Sequence, residues 1–119
     1  MSDQTTTLSD LRRRVQDFVI ARDWAQFHNP KDLSVSLCIE AAELLEEFQW
    51  LNPDEVEESC SDAKARARVA GELADVLIYG FSLANALDLD IATAVTEKLA
   101  ASAAKYPADR FQGRFKLNE

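Results

Sequence analysis

Turn-forming residues are scarce, with three glycines and three prolines in 119 residues. Turns are therefore few and the elements long, which excludes an architecture of many short, tightly connected strands. Cysteine is limited to Cys38 and Cys60, whose spacing fits neither a disulfide framework nor a zinc site. Both read as reduced thiols of a reducing compartment, and a cytoplasmic location is expected. Positive charge is also in short supply: 13 Lys and Arg stand against 21 Asp and Glu, giving a net charge of −8. Such a field repels the phosphates of a nucleic-acid duplex, so no DNA duplex is expected as a partner. A small polyanion such as a nucleotide can still bind, provided a cation mediates. The opening ten residues are polar and lack the apolar core of a signal peptide. The longest apolar stretch, Val69 to Leu87, carries Glu72 and Asp75 and makes a poor membrane span. No membrane partner is expected.

The length suits one domain, 1–119, with an ordered core over about 8–107 and polar ends. The pattern predicts a first helix from Leu8 to about Trp24, with Ser9 as a possible cap and Leu11, Val15, Phe18 and Val19 as its apolar stripe. A connection over Ala25 to Leu33, punctuated by Asn29-Pro30, leads to a second helix from Ser34 to Leu51 that Asn52-Pro53 stops. Asp54 to Ser59 reads as a short acidic turn of helix, and Asp62 to about Leu87 as a long third helix. Asp90 can cap a fourth, running from Ile91 to Tyr106 and ended by Pro107. The tail is polar and basic, with Arg110, Arg114 and Lys116. No segment alternates as a strand does, so the fold class is all-α: a four-helix, bundle-like protomer. The third helix is apolar on nearly all sides and reads as buried. Three neighbours cannot easily cover it, so a second chain is expected to do so, in a homo-oligomer that is at least a dimer.

Two rows of side chains carry chemistry. On the second helix Ser36, Glu40, Glu43, Glu47 and Trp50 are spaced by four, three, four and three, which aligns them along one face. On the third, Arg68, Glu72, Asp75, Tyr79 and Ser82 repeat the same spacing. Acids on a helix are usually a solvated face, and Glu46, Glu47, Glu55, Glu57 and Glu58 are read so. Glu72 and Asp75 differ, because no base in the Val69 to Leu87 stretch can pair with them. Buried acids without partners are costly unless protonated or holding a cation. Four converging carboxylates, Glu40, Glu43, Glu72 and Asp75, make sense around a divalent cation. An all-oxygen donor set without His or Cys favours Mg²⁺, with Mn²⁺ as a substitute, over Zn²⁺.

These residues resemble a known family. Glu40-Ala41-Ala42-Glu43, then 28 residues, then Glu72-Leu73-Ala74-Asp75, is similar to the E-x-x-E…E-x-x-D signature of the MazG-like all-α NTP pyrophosphatases. Within it the chain most resembles the dCTP pyrophosphatase branch, through Arg22-Asp23-Trp24-x-x-Phe27-His28-x-Pro30, Phe48-Gln49-Trp50, Val76-Leu77-Ile78-Tyr79 and Lys105-Tyr106-Pro107. The resemblance runs from about Leu11 to Pro107. It implies that Glu40, Glu43, Glu72 and Asp75 hold Mg²⁺ and carry catalysis, and that Trp24 and Trp50 stack on the base. It implies that His28 and Tyr79 line the substrate pocket and that Lys98 and Tyr106 meet phosphate. It further implies a tetramer built as a pair of dimers. Two departures stand out. Ile39 precedes Glu40 where many relatives carry a second glutamate, a trait shared with the dCTP branch. Ser102 stands where relatives carry asparagine; serine is shorter, so a contact to metal or phosphate is expected to be lost there or mediated by water. The fourth helix is unusually rich in alanine. The implied activity is hydrolysis of a nucleoside triphosphate to the monophosphate and pyrophosphate, favouring dCTP or a modified dCTP. The rival readings are a related dUTP or phosphoribosyl-nucleotide pyrophosphatase, and a non-catalytic helical oligomer that binds a nucleotide or partner.

Overall fold

The computed structural model describes residues 1–114, and among the described residues every regular element is helical. The chain divides into two compact units, Met1–Asp88 and a second that begins at Leu89. In the first unit, α1 (Leu8–Ala21) leads through a single 3₁₀ turn (Ala25–Phe27) into α2 (Pro30–Glu46); α3 (Pro53–Ser61) and the long α4 (Ala63–Leu87) follow. In the second, α5 (Ile91–Lys105) precedes the single-turn α6 (Ala108–Phe111). The all-α class is as the sequence implies. Lys116 of the basic tail lies outside the described residues.

Short polar side chains set where each helix starts. Thr7, not Ser9, caps α1: its hydroxyl accepts from the Asp10 N–H at 3.0 Å, and the Asp10 carboxylate accepts from the Thr7 N–H at 3.2 Å. α2 begins at Pro30, four residues earlier than the sequence suggests, because Asn29 caps it and proline fits the first helical position. Asn52 and Glu55 form a second reciprocal cap on α3, which is a full helix of 9 residues rather than a short turn. Asp62 caps α4, accepting from the Ala65 N–H at 2.8 Å. Asp88, in the left-handed region at φ 53°, ends α4. Within the second unit, Asp90 accepts from both the backbone N–H and the hydroxyl of Thr93 to start α5.

α4 is the spine of the first unit, and α2 packs along it more extensively than α1 or α3 does. The buried apolar set there is small: Val19, Leu33, Ala65 and Ala84. The expectation that α4 is buried fails within the protomer, where Leu77 is 50% and Ile78 42% exposed. α1 and α4 leave an apolar groove of about 500 Å³ between them, lined by Leu11, Val15, Phe18, Leu77, Ile78 and Phe81. The cause is geometric. Three helices contact three sides of a helix whose apolar surface runs right round.

Candidate functional site

α2 and α4 bring the two acidic rows face to face. One carboxylate oxygen from each of Glu40, Glu43 and Glu72 lies within 4.8 Å of the other two. Glu40 and Glu72 are half-buried and Glu43 is exposed. Asp75, one turn beyond Glu72, adds its charge to the field felt by both. The Oε2 atoms of Glu40 and Glu72 are each buried with no hydrogen-bond partner among the described residues. Orphaned buried acceptors need an explanation, and an all-oxygen cluster supplies one: it fits a hard divalent cation.

Repulsion shows in the acidities. The Glu40 carboxyl is pushed up from 4.5 to about 7, first by hydrogen bonding to the Glu43 carboxyl, then by loss of solvent and by the charges of Glu43, Asp75 and Glu72. Glu72 is raised as well, mainly by desolvation and then by the Glu43 and Asp75 charges. The folded protein without cation therefore holds a proton on Glu40 that the unfolded chain releases above pH 4.5. Where the native state binds more protons than the unfolded state, stability falls as pH rises. We expect Tm of the metal-free protein to fall between about pH 4.5 and 7 and this fall to be smaller in Glu40→Gln. Equal slopes in the two proteins, measured by calorimetry in chelator, would contradict strain in the cluster.

One acid of the α2 row behaves otherwise. Glu47 is not the solvated residue expected: its side chain is 19% exposed and accepts a hydrogen bond from Arg68 Nε at 3.1 Å. Arg68 thereby neutralises Glu47 and leaves the four acids deeper in the rows without a base. This pair escaped the sequence reading, although both residues stood in the two rows. The remaining acids of that group, Glu46, Glu55, Glu57 and Glu58, are exposed as expected.

The aromatic and polar candidates distribute unevenly. Arg22, Asp23 and Trp24 turn the chain back at the end of α1, with Asp23 at φ 55° and the Trp24 N–H donating to the Val19 carbonyl at 3.1 Å. This corner sets Trp24 edge-on to Phe18, ring centres 5.8 Å apart, with the indole 45% exposed. Trp50 lies past the end of α2, in a turn closed by 3₁₀-type bonds such as Phe48 N–H to the Leu45 carbonyl at 2.9 Å. It is 85% exposed and touches no other ring among the described residues. Tyr79 is half-buried one turn past Asp75. His28 is half-buried after the 3₁₀ turn. Lys98, Ser102 and Tyr106 belong to the second unit, spaced by four along and just past α5. Lys98 is exposed and Ser102 half-buried; the Tyr106 ring meets Phe111 edge-on at 5.2 Å.

An all-helical chain with a carboxylate cluster suited to a divalent cation between two helices defines a class of acidic-site α proteins. The comparisons narrow that class. The profile of the MazG-like family matches residues 35–116. The chain belongs to the MazG-like family. It is 39% identical over 107 residues to dCTP pyrophosphatase 1 of Rattus norvegicus, and 40% identical over 102 residues to that of Homo sapiens. Those alignments cover 90% and 86% of this chain but 63% and 60% of the relatives, so the chain spans just under two thirds of their length. A solved structure of a pyrophosphatase from Archaeoglobus fulgidus superposes with a TM-score of 0.78 at 39% identity, covering 84% of this chain and 92% of that one.

Proposed function

We propose that the protein is a Mg²⁺-dependent nucleoside triphosphate pyrophosphohydrolase that favours dCTP or a modified dCTP. The observation that carries this is the cluster of Glu40, Glu43 and Glu72 with its two orphaned buried oxygens. Similarity to relatives named dCTP pyrophosphatase supports the choice of reaction and base. Glu40, Glu43, Glu72 and Asp75 would hold the cation. Bound there, Mg²⁺ would supply the positive charge that this acidic chain lacks and the Lewis acidity that activates phosphate and water. The exposed Glu43 carboxylate accepts the proton of the water that attacks the α-phosphorus. Trp24 and Trp50 stack on the base, and Tyr79 borders the site from the α4 row. Lys98, Ser102 and Tyr106 are assigned to the phosphates. Mn²⁺ is expected to substitute for Mg²⁺.

The test is pyrophosphate release from a panel of dCTP, 5-methyl-dCTP, dUTP, dTTP, dATP and dGTP, with Mg²⁺ and with chelator. Release from none of them with Mg²⁺ present would refute the reading, and a preference for dUTP would move the protein to the related branch. Cation binding also has a thermal readout. A ligand bound only by the native state stabilises by about 2.7 kcal/mol at a hundredfold excess over Kd. Mg²⁺ is accordingly expected to raise Tm, and Asp75→Asn to blunt the rise. A melting curve that ignores magnesium would count against the cation site.

We further propose that a second copy covers the α1–α4 groove, as part of a homodimer or homotetramer. Leu77 and Phe81 lie on the side of α4 away from Glu72 and Asp75, so covering that side leaves the carboxylates open. Light scattering at micromolar concentration is expected to give at least twice 13.3 kDa, and a single 13.3 kDa species would defeat the proposal.

A further inference from the structure

The Glu47–Arg68 pair extends the two acidic rows by one rung. Glu47 follows Glu43 by four residues on α2, and Arg68 precedes Glu72 by four on α4. Four residues of helix rise about 6 Å, so the pair stands one turn along from the clustered carboxylates. At that distance charge still carries, and Glu47 is among the acids whose charge Glu72 feels. Glu47 is thus a fifth acid at the edge of the cluster, and it is the one that has a base.

The choice of partner is selective. Arg68 Nε donates to Glu47 Oε2 at 3.1 Å, with the Glu47 side chain 19% and the Arg68 side chain 59% exposed. A groove beside the pair is lined by Glu47, Glu55, Glu58 and Asp62, and Arg68 is the single base among the described residues that line it. Glu55 and Asp62 are already engaged as helix caps, accepting backbone N–H groups at 3.1 and 2.8 Å. Of these four acids, Arg68 takes the one next to the cluster. Without it, a half-buried carboxylate would stand uncompensated beside Glu43 and Glu72.

The charge around a cation site governs two affinities in opposite directions. Added negative charge binds Mg²⁺ more tightly and repels a triphosphate that must approach the same place. Paired, Glu47 and Arg68 add no net charge. Unpaired, either one shifts both affinities.

We propose that Arg68 is a positioning residue: by holding Glu47 it keeps a fifth carboxylate from joining the cation site, and so sets how tightly the protein takes Mg²⁺ and how readily the loaded site accepts a nucleotide. The assignment rests on the cation reading of the carboxylate cluster.

The experiment uses the full chain as wild type, Arg68→Gln, Glu47→Gln and the double variant. Calorimetry gives the Kd of Mg²⁺ without nucleotide, at low ionic strength where screening is least. Kinetics at saturating Mg²⁺ give KM for dCTP. Arg68→Gln is expected to lower the Mg²⁺ Kd at least about fivefold and to raise KM by a similar factor. Glu47→Gln leaves the guanidinium unpaired and is expected to move both quantities the other way. The double variant is expected to return both to near the wild-type values, since the net charge is restored. Weaker Mg²⁺ binding in both single variants would overturn the proposal and leave a pair that only supports the fold. A KM that rises in Arg68→Gln and stays raised in the double variant would also overturn it, because Arg68 would then meet the nucleotide itself. If wild type binds Mg²⁺ and neither single variant changes its Kd, this proposal fails and the cation reading stands. A wild type that binds no Mg²⁺ refutes both.

Discussion

Replacing Glu72 by glutamine is expected to lower kcat at least about a hundredfold on every nucleotide the protein hydrolyses. The side chain keeps its size and loses its charge. Glu72 Oε2 is buried without a partner, beside the carboxylates of Glu40 and Glu43. An amide placed there can donate to its acidic neighbours and so quiet the repulsion without a cation. The variant is therefore expected to fold at least as well as wild type in chelator, while losing most of the rise in Tm with Mg²⁺. Loss of activity alongside retained stability separates a cation ligand from a core residue. Asp75→Asn is expected to act in the same direction. Steady-state kinetics over the nucleotide panel, with melting curves on the same preparations, make the measurement. Full kcat in Glu72→Gln would mean that the cluster does not carry the reaction.

Trp24→Ala and Trp50→Ala are expected to fail differently, raising KM by about ten- to a hundredfold with kcat nearly unchanged. Stacking a base on an aromatic ring contributes roughly 1–3 kcal/mol, which corresponds to that range. Trp50, at 85% exposure, has no packing role to lose within the protomer, so its truncation is expected to leave Tm almost unmoved. Trp24 also meets the edge of Phe18, so its truncation is expected to lower Tm, and Trp24→Phe serves as the control that keeps an aromatic face. The KM effect is expected across all bases, because every base has a stacking face. A KM that stays at the wild-type value for every nucleotide in both alanine variants would end the assignment of these indoles to the base.

The residues themselves determined the helical class and the two acidic rows, including Glu40, Glu43 and Glu72, whose carboxylates the fold gathers within 4.8 Å of one another. Helical periodicity is a local property, and spacings of three and four place side chains on one face whatever packs against it. The absence of a base in the Val69 to Leu87 stretch already set Glu72 and Asp75 apart. Helix starts were less legible, because Thr7 and Asn29 compete with nearby polar residues and only backbone geometry decides which side chain reaches the free N–H groups. The tertiary structure alone decided how the acids divide. Glu47 and Glu43 stand on the same row, yet only Glu47 meets Arg68, because the register of α2 against α4 sets which acid faces the guanidinium. Register likewise settled that Glu40 and Glu72 bury an oxygen apiece and that Asn85 locks onto Arg12, 73 residues away in sequence. A small cavity between α1, the 3₁₀ turn and α4, lined by Gln16, His28, Ser82 and Asn85 among others, had no trace in the sequence beyond a serine on the α4 row. A cavity is the space left by three elements meeting at particular angles, and no local pattern encodes those angles.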